Sequence, residues 1–281
     1  MANFDFDHDI IDFDHDIMMK TLKKQLKLYS VKSRVMKYYG YKIEDWILDI
    51  MVKERIYKLE IHSKLSHPLD NLPNSITELV LYNFNSSQLN DLPNSIERLY
   101  LVNYQGNLNN LCSTVKMINF GNKFNNELNN LPTQLEEIIF GSDFNFPVDM
   151  LPTGLKIIKF GSDFNFPVDN LPTLLEVIIF GTNFNHPIDN LPDRIVYISF
   201  EWIGKFNQPI YKFPNKLEEL IFPNSFANSI CDFPDNLKKL TLGTEFAKPF
   251  VTPINLEKIK LSSKYKYIKL IKNNVIQEVY F

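Results

Sequence analysis

A Leu-Pro pair, or a close variant of it, returns about every twenty residues along most of this chain. Six copies read Leu-Pro, the first at Leu72, and Leu111-Cys112, Phe213-Pro214, Phe233-Pro234 and Thr252-Pro253 occupy equivalent places. Successive copies are separated by 20, 19, 20, 20, 20, 20, 22, 20 and 19 residues. Such a constant period indicates a repeat protein, in which each unit is a small element that stacks on the next.

One unit, residues 175–192, shows what so short a repeat can build. Ile178 and Phe180 alternate with outward positions, which is typical of a short strand with one buried face. Gly181 permits a sharp bend, and Phe184 returns to the core. Two prolines in the second half exclude a regular helix or a central strand there. Each unit is therefore predicted to contain one strand, a turn and an irregular return segment.

Stacking lets such units bury apolar residues that none of them could bury alone. Because the connections all run in one sense, the strands should be parallel. The predicted fold class is a mainly β solenoid of parallel strands over residues 56–281, with coils of about twenty residues and a small helical N-terminal cap. The predicted strands are 56–61, 76–81, 96–101, 115–120, 135–140, 155–160, 175–180, 195–200, 217–222, 237–242, 256–261 and 276–281.

Equivalent residues of successive units should form continuous rows. An aromatic row is expected inside the stack at Phe84, Tyr104, Phe124, Phe144, Phe164, Phe184, Phe206, Phe226 and Phe246. Two polar rows are expected to satisfy backbone groups of the return segments. The first is Asn85, Asn125, Asn145, Asn165, Asn185 and Asn207, and the second is Asn71, Asp91, Asn110, Asn130, Asn170 and Asn190.

Residues 1–55 differ in composition and are interpreted as the helical cap of the first strand. Apolar residues recur at helical intervals over residues 20–39 and again over residues 44–52. A Phe-Asp-His-Asp motif occurs twice before them and places His8 and His15 beside carboxylates. Such residues can bind zinc or iron, but neither motif has paired histidines at helical spacing, so no metal site is predicted.

Composition and motifs exclude several classes of function. The net charge is −3, from 30 basic and 33 acidic residues, without the clustered basic excess of nucleic-acid binders. No apolar run is long enough for a membrane helix, and residues 1–17 do not resemble a signal peptide. The protein is therefore expected in the cytoplasm of its source or host cell and not to be secreted. Cys112 and Cys231 form no disulfide framework.

The chain also lacks the sequence signatures of catalysis. It has no Gly-rich phosphate loop and no Gly-x-Ser-x-Gly motif, and none of its five histidines has a nucleophile paired with it in sequence. We therefore expect a non-enzymatic monomer without catalytic residues, cofactor or metal. A protein partner, which could be a host protein, is the expected ligand.

The outward positions of the strands are the natural place for a partner to bind. They include Val80 near the start and Met117 further on, and they are basic near the C-terminus. In the middle they are mostly apolar, and the predicted partner-binding residues are Ile139, Ile157, Lys159, Val177, Ile179, Tyr197 and Ile221. The alternative is that Ile and Val occur here only because they suit strands.

The segment Phe-Asn-x-Pro-[Ile/Val]-Asp-x-Leu-Pro, at residues 144–152, 164–172 and 184–192, resembles the FNIP repeat. This family is related to leucine-rich repeats and is found in social amoebae and in giant viruses that infect amoebae. The resemblance implies a leucine-rich-repeat-like solenoid and a role in protein interaction. Many members carry an F-box, so one alternative is a ubiquitin-ligase substrate-recognition subunit with a divergent F-box in residues 1–55. The other alternative is a structural or virion-associated protein without a specific ligand.

Overall fold

The computed structural model describes residues 34–40, 42–62, 69–82, 84, 89, 92–106, 108, 111–271 and 275–280. These residues form a 13-stranded parallel sheet, with strand order equal to chain order, in a solenoid of about 11 turns. One α-helix, α1 (Asp45–Lys53), and a 3₁₀ turn (Ile268–Leu270) are the helices of the described residues. The strands are β1 (Val35–Tyr38), β2 (Lys58–Ile61), β3 (Glu78–Tyr82), β4 (Arg98–Val102), β5 (Met117–Asn119), β6 (Glu137–Ile139), β7 (Ile157–Lys159), β8 (Val177–Phe180), β9 (Tyr197–Phe200), β10 (Glu219–Ile221), β11 (Lys239–Thr241), β12 (Lys258–Ser262) and β13 (Ile276–Tyr280). The predicted parallel β solenoid is confirmed.

The proline of each Leu-Pro pair begins a turn that lies directly before the next strand. The carbonyl oxygen of Pro172 accepts a hydrogen bond of 3.0 Å from the backbone N–H of Leu175. That turn delivers Leu175 to the core, after which Ile178 and Phe180 also point inward. The same turn joins Pro152 to the following unit. A proline suits this position because the turn uses its carbonyl group and needs no donor from it.

Strand pairing keeps one register from end to end, so that equivalent side chains are neighbours. Ile158 of β7 pairs with Ile178 of β8, and Ile178 pairs with Ile198 of β9. The three side chains are buried. A strand spacing of about 4.8 Å brings such residues into direct contact from one unit to the next.

Two expectations about the ends of the sheet are wrong. Residues 35–38, predicted as helix, form β1, because Met36 and Tyr38 extend the buried face of the sheet beside β2. The helix predicted over residues 44–52 is present as α1, while residues 20–33 lie outside the described part. At the other end, Ile276 pairs with Lys258 rather than with Leu256, because the last unit is two residues shorter than expected.

From Tyr104 to Phe246 the aromatic row forms a continuous stack inside the solenoid, as predicted. The ring centroid of Phe164 lies 6.0 Å from those of both Phe144 and Phe184. A second row comes from the ends of the strands and packs against the first: the Phe160 ring lies 3.8 Å from that of Phe164 and 5.7 Å from that of Phe140. From Phe124 to Phe226, each ring of the first row therefore contacts rings of its own unit and of both neighbouring units.

The first asparagine row links the return segments, again as predicted. The side-chain oxygen of Asn145 accepts a hydrogen bond of 3.0 Å from the backbone N–H of Asn165. The side chain of Asn165 does the same for Asn185, at 2.9 Å. These bonds replace the regular backbone pairing that the return segments lack. Asn85 lies outside the described residues.

The second polar row behaves differently from the prediction. Asn170 and Asn190 donate from their side chains to the carboxylates of Asp149 and Asp169, at 3.0 and 2.8 Å. They therefore join side chain to side chain rather than satisfying the backbone. Asp91 and Asn110 of this row are not among the described residues.

Glycine follows several strands because the backbones of neighbouring units touch there. A Cβ atom added at Gly161 would lie 1.8 Å from the carbonyl oxygen of Gly141, and one at Gly181 would lie 1.8 Å from that of Gly161. The prediction that Gly181 serves a sharp bend is therefore incomplete. The position excludes a side chain because no space exists for one.

Short helical elements complete the first and last units of the solenoid. At the N-terminal end α1 places Ile47 and Met51 against the stack, where both are buried. At the C-terminal end Tyr265, Ile271 and Val275 are buried around the 3₁₀ turn. α1 lies between β1 and β2, and the 3₁₀ turn lies between β12 and β13, so each takes the place of a return segment in its unit.

Candidate protein-binding surface

The outward side chains of the strands form two parallel rows, which we call the strand face. The first row is Val35, Lys58, Glu78, Arg98, Met117, Glu137, Ile157, Val177, Tyr197, Glu219, Lys239, Lys258 and Ile276. The second row is Lys37, Glu60, Val80, Tyr100, Asn119, Ile139, Lys159, Ile179, Ser199, Ile221, Thr241, Lys260 and Glu278.

The structure brings all the predicted partner-binding residues together on five adjacent strands, β6 to β10. We call this group the central patch; it comprises Ile139, Ile157, Lys159, Val177, Ile179, Tyr197 and Ile221. Its six uncharged members are half-buried, and Lys159 is exposed. Neighbouring side chains in a parallel sheet partly cover one another, which explains why the apolar members are not fully exposed.

The N-terminal flank of the strand face is closed by charged side chains that pair with one another. Lys58 Nζ lies 2.7 Å from Glu78 Oε1 and 5.3 Å from the centroid of the Tyr100 ring. The side-chain hydrogen bond to Glu78 raises the pKa of Lys58 above its usual value. The Lys58 side chain thus crosses β3, and Val80 is buried rather than exposed as predicted.

Met117 is a second outward position that proves to be buried. It lies between Arg98 and Glu137, whose side chains approach to 3.6 Å across it. An ion pair that spans three strands therefore covers the methionine. Long charged side chains can shield apolar surface in this way while their ends remain in water.

The C-terminal flank is basic in sequence but largely paired in the structure. Lys239 Nζ lies 3.1 Å from Glu219, and Lys258 Nζ lies 2.7 Å from Glu278. Beside the strand face, Lys238 Nζ lies 2.9 Å from Glu218. This pairing weakens the case for an acidic or nucleic-acid ligand at this end.

Lys159 differs from the cations on the flanks. Its strand neighbours in the second row are Ile139 and Ile179, and Ile157 lies two residues before it. Among the residues that the structure describes, no carboxylate lies within ion-pair distance of Lys159. With respect to the described residues, the central patch is thus an apolar surface with one unpaired positive charge in its middle.

Sequence reasoning missed a second exposed apolar feature beside the patch. Trp202 and Ile203 follow β9, and their side chains are 41% and 75% exposed. The equivalent places after β7 and β8 are held by polar residues, beginning with Ser162 and Thr182. The signal was the single spacing of 22 residues, because insertions in repeat proteins often map to a binding face.

The histidines and cysteines have structural surroundings. His62 is stacked between Tyr39 and Tyr82, with ring centroids 4.6 and 4.1 Å away. His186 Nε2 lies 3.0 Å from the backbone oxygen of Asn165. Burial raises the pKa of the Cys231 thiol, which reduces its reactivity. His8, His15 and His67 are outside the described residues.

Over the described ranges the structure shows no group of three or more side chains suited to bind a metal ion. A shallow hollow of about 230 Å³ on the strand face is lined mainly by the paired residues of the C-terminal flank, including Glu219, Lys239 and Glu278. No described helix has the length and apolar character needed to cross a bilayer. The central patch is therefore the strongest candidate site, and its chemistry is that of an interaction surface.

Comparison with known proteins supports this architecture. CroV588, a circular leucine-rich-repeat protein from a giant virus, is 25% identical with a TM-score of 0.70. The match covers 84% of this chain and 38% of CroV588, so the chain spans well under half the length of that protein. An internalin (InlF) from Listeria monocytogenes shares the fold at 13% identity and a TM-score of 0.54, over 92% of this chain and 94% of the internalin.

Sequence comparison gives the family assignment. Curated proteins yield no significant match. The profile of the FNIP repeat matches residues 144–183 and 165–201, which include β7, β8 and β9. These repeats carry the motif that the sequence analysis singled out, within a leucine-rich-repeat-like solenoid that continues on both sides. The chain therefore contains FNIP repeats over residues 144–201, within a leucine-rich-repeat-like fold.

Proposed function

We propose that this protein is a non-enzymatic scaffold that holds another protein on the central patch. The observation that carries the proposal is the contrast along the strand face. Its two flanks carry ion pairs that reach as far as Glu137 on β6 and Glu219 on β10. The outward positions between those two carboxylates are mostly half-buried aliphatic and aromatic side chains. Contiguous apolar surface of this kind, bordered by charges, is characteristic of protein interfaces.

Lys159 supports a more specific description of the partner. Lys159 lies among isoleucines, and no described carboxylate neutralises its charge. Its own chain therefore does little to stabilise the ammonium group. A partner that buries the patch must also desolvate the ammonium group, which is unfavourable unless an opposite charge faces it. We therefore propose a protein partner that presents a carboxylate flanked by apolar side chains.

The rest of the chain has a supporting role in this proposal. Residues 56–281 together with β1 form the interaction solenoid, and the rest of residues 1–55 acts as its N-terminal cap. We further propose that the protein works inside the cell, without a cofactor, and that the partner can be a host protein. The leucine-rich-repeat-like fold supports a role in protein binding because it offers one long, regular face.

The proposal is tested by capture from cell extract with matched variants. The bait is the full chain, compared with Lys159→Glu and with the double variant Val177→Glu/Ile179→Glu. The control is Val251→Glu, which makes the same type of change at an exposed valine outside the strand face. Partners retained by the wild type and by the control should be lost by the double variant.

Lys159→Glu should reduce the capture of those same partners about tenfold or more, because a carboxylate would then face a carboxylate. Its circular dichroism melting curve should match that of the wild type, since the side chain is exposed. Retention of every partner by both patch variants would contradict the proposed site. Ubiquitin-ligase subunits retained by the double variant but lost when residues 1–55 are deleted would support the F-box alternative instead.

A further inference from the structure

The two outermost strands of the sheet each have one free edge within the described part of the chain. Among the strands that the structure describes, β1 pairs only with β2, and β13 pairs only with β12. Free edges expose backbone donors and acceptors and invite pairing with another strand. Exposed apolar side chains accompany both of them: Tyr39 is 65% exposed beside β1, and Ile276 is 64% exposed on β13.

The constant register defines what a strand added to β13 would contact. Ile276 continues the first row of the strand face and Glu278 continues the second. The same rows begin with Val35 and Lys37 on β1. A second copy that added its β1 to β13 in the repeat's own register would therefore place Val35 beside Ile276, and Lys37 beside Glu278.

We propose that copies of this chain associate head to tail through β13 of one copy and β1 of the next. The charges of the second row favour this arrangement. Across the junction that row would read Lys260, Glu278, Lys37 and Glu60, alternating in sign. Lys37 of the added copy would lie between Glu278 and its own Glu60, which is 3.6 Å away within the chain.

The side chains at the junction are accessible. The Lys37 side chain is 60% exposed, and the Glu278 side chain is 48% exposed. The apolar residues Ile276 and Val279 on β13 would lose exposed surface when a further strand lies beside them. The same association therefore pairs charges and covers the apolar side chains of the last strand.

Charge also distinguishes this arrangement from a two-fold dimer. If two copies of β13 paired antiparallel about Glu278, the two carboxylates would face each other, which destabilises a strand pair. Head-to-tail contact uses two different edges, so it repeats from copy to copy and forms a ring or a filament. This departs from the monomer that the sequence led us to expect.

The test uses the purified full chain alone, so its outcome is independent of the partner proposed for the central patch. Sedimentation velocity over a range of concentrations should show reversible association that weakens as salt is raised. Lys37→Glu and Glu278→Lys should each weaken the association about tenfold, because each places like charges side by side. The charge controls Lys216→Glu and Glu245→Lys change exposed residues away from both edges and should associate like the wild type.

Mixing the two weakened variants is the decisive arm. Each junction in the mixture can pair opposite charges, so association should return to about the wild-type level. A wild type that stays monomeric at all concentrations would overturn the proposal. The proposal would also be overturned if neither substitution weakened the association, or if the mixture remained dissociated.

Discussion

Truncation of one ring in the aromatic stack should be among the most damaging substitutions in this protein. Phe164 is fully buried, and its ring stacks on those of Phe144, Phe184 and Phe160. Phe164→Ala would remove three ring contacts at once and would leave a cavity that rigid neighbouring units cannot close.

The expected loss follows from these contacts. Replacing a core phenylalanine by alanine lowers the free energy of unfolding by about 3–5 kcal/mol. Stacked aromatic pairs add about 0.5–1.5 kcal/mol each beyond simple burial, although overlapping contacts are not additive. We therefore expect Phe164→Ala to lower the free energy of unfolding by about 4–5 kcal/mol, near the upper end of that range.

The assay is urea unfolding followed by far-ultraviolet circular dichroism, with the free energy of unfolding extrapolated to water. Phe166→Ala is the matched control: it lies two residues away in the same unit but is only partly buried against the core. The control should lose about 1 kcal/mol, as typical for a partly exposed site. Equal losses for the two variants would refute the reasoning, because they would show that Phe164 does not occupy a tightly packed stack.

Three further predictions concern other parts of the solenoid. Gly161→Ala should lower the melting temperature strongly, whereas Gly154→Ala, whose added Cβ would meet nothing nearer than 3.6 Å, should leave it nearly unchanged. Asn165→Ala should reduce the free energy of unfolding by about 1 kcal/mol, because it removes the acceptor for the Asn185 N–H, and Asn165→Asp should retain most of it. Burial raises the pKa of Tyr104 to about 12, so its contribution to stability is complete below pH 10 and is lost as the pH rises from about 10 to 12. Tyr104→Phe should therefore lose less stability than the wild type across that interval in alkaline unfolding experiments.

The sequence period predicted most strands well because nearly every unit repeats the same local sequence pattern. Ile158, Ile178 and Ile198 each alternate with outward positions, and a Pro-initiated turn precedes each of their strands. β1 lacks that turn signature, and Val35 and Tyr38, three residues apart, fit the spacing of a helix as well as lying in a strand. Pairing with β2 decides between them, and pairing is a tertiary interaction that local sequence does not specify.

The sequence predicted which residues lie in the outward rows of the strands, but not which of them are covered by neighbouring side chains. Alternation alone placed Val177 and Ile179 on the outward side of β8. It could not show that Arg98 and Glu137 meet across Met117, because that contact spans three strands. Nor could it show that Lys159 has no ion pair with a described carboxylate, since this depends on how each charged side chain on the flanks is oriented.

The direct test of the solenoid is a pair of distances measured by pulsed electron paramagnetic resonance. Spin labels at Thr133 and Asn215, both exposed in equivalent turns four units apart, should lie about 20 Å from each other. With the second label moved to Asp235, one unit further, the distance should grow to about 25 Å. Cys112 and Cys231 are replaced beforehand so that only the chosen sites are labelled. Distances that do not increase with the number of intervening units would contradict a single continuous stack.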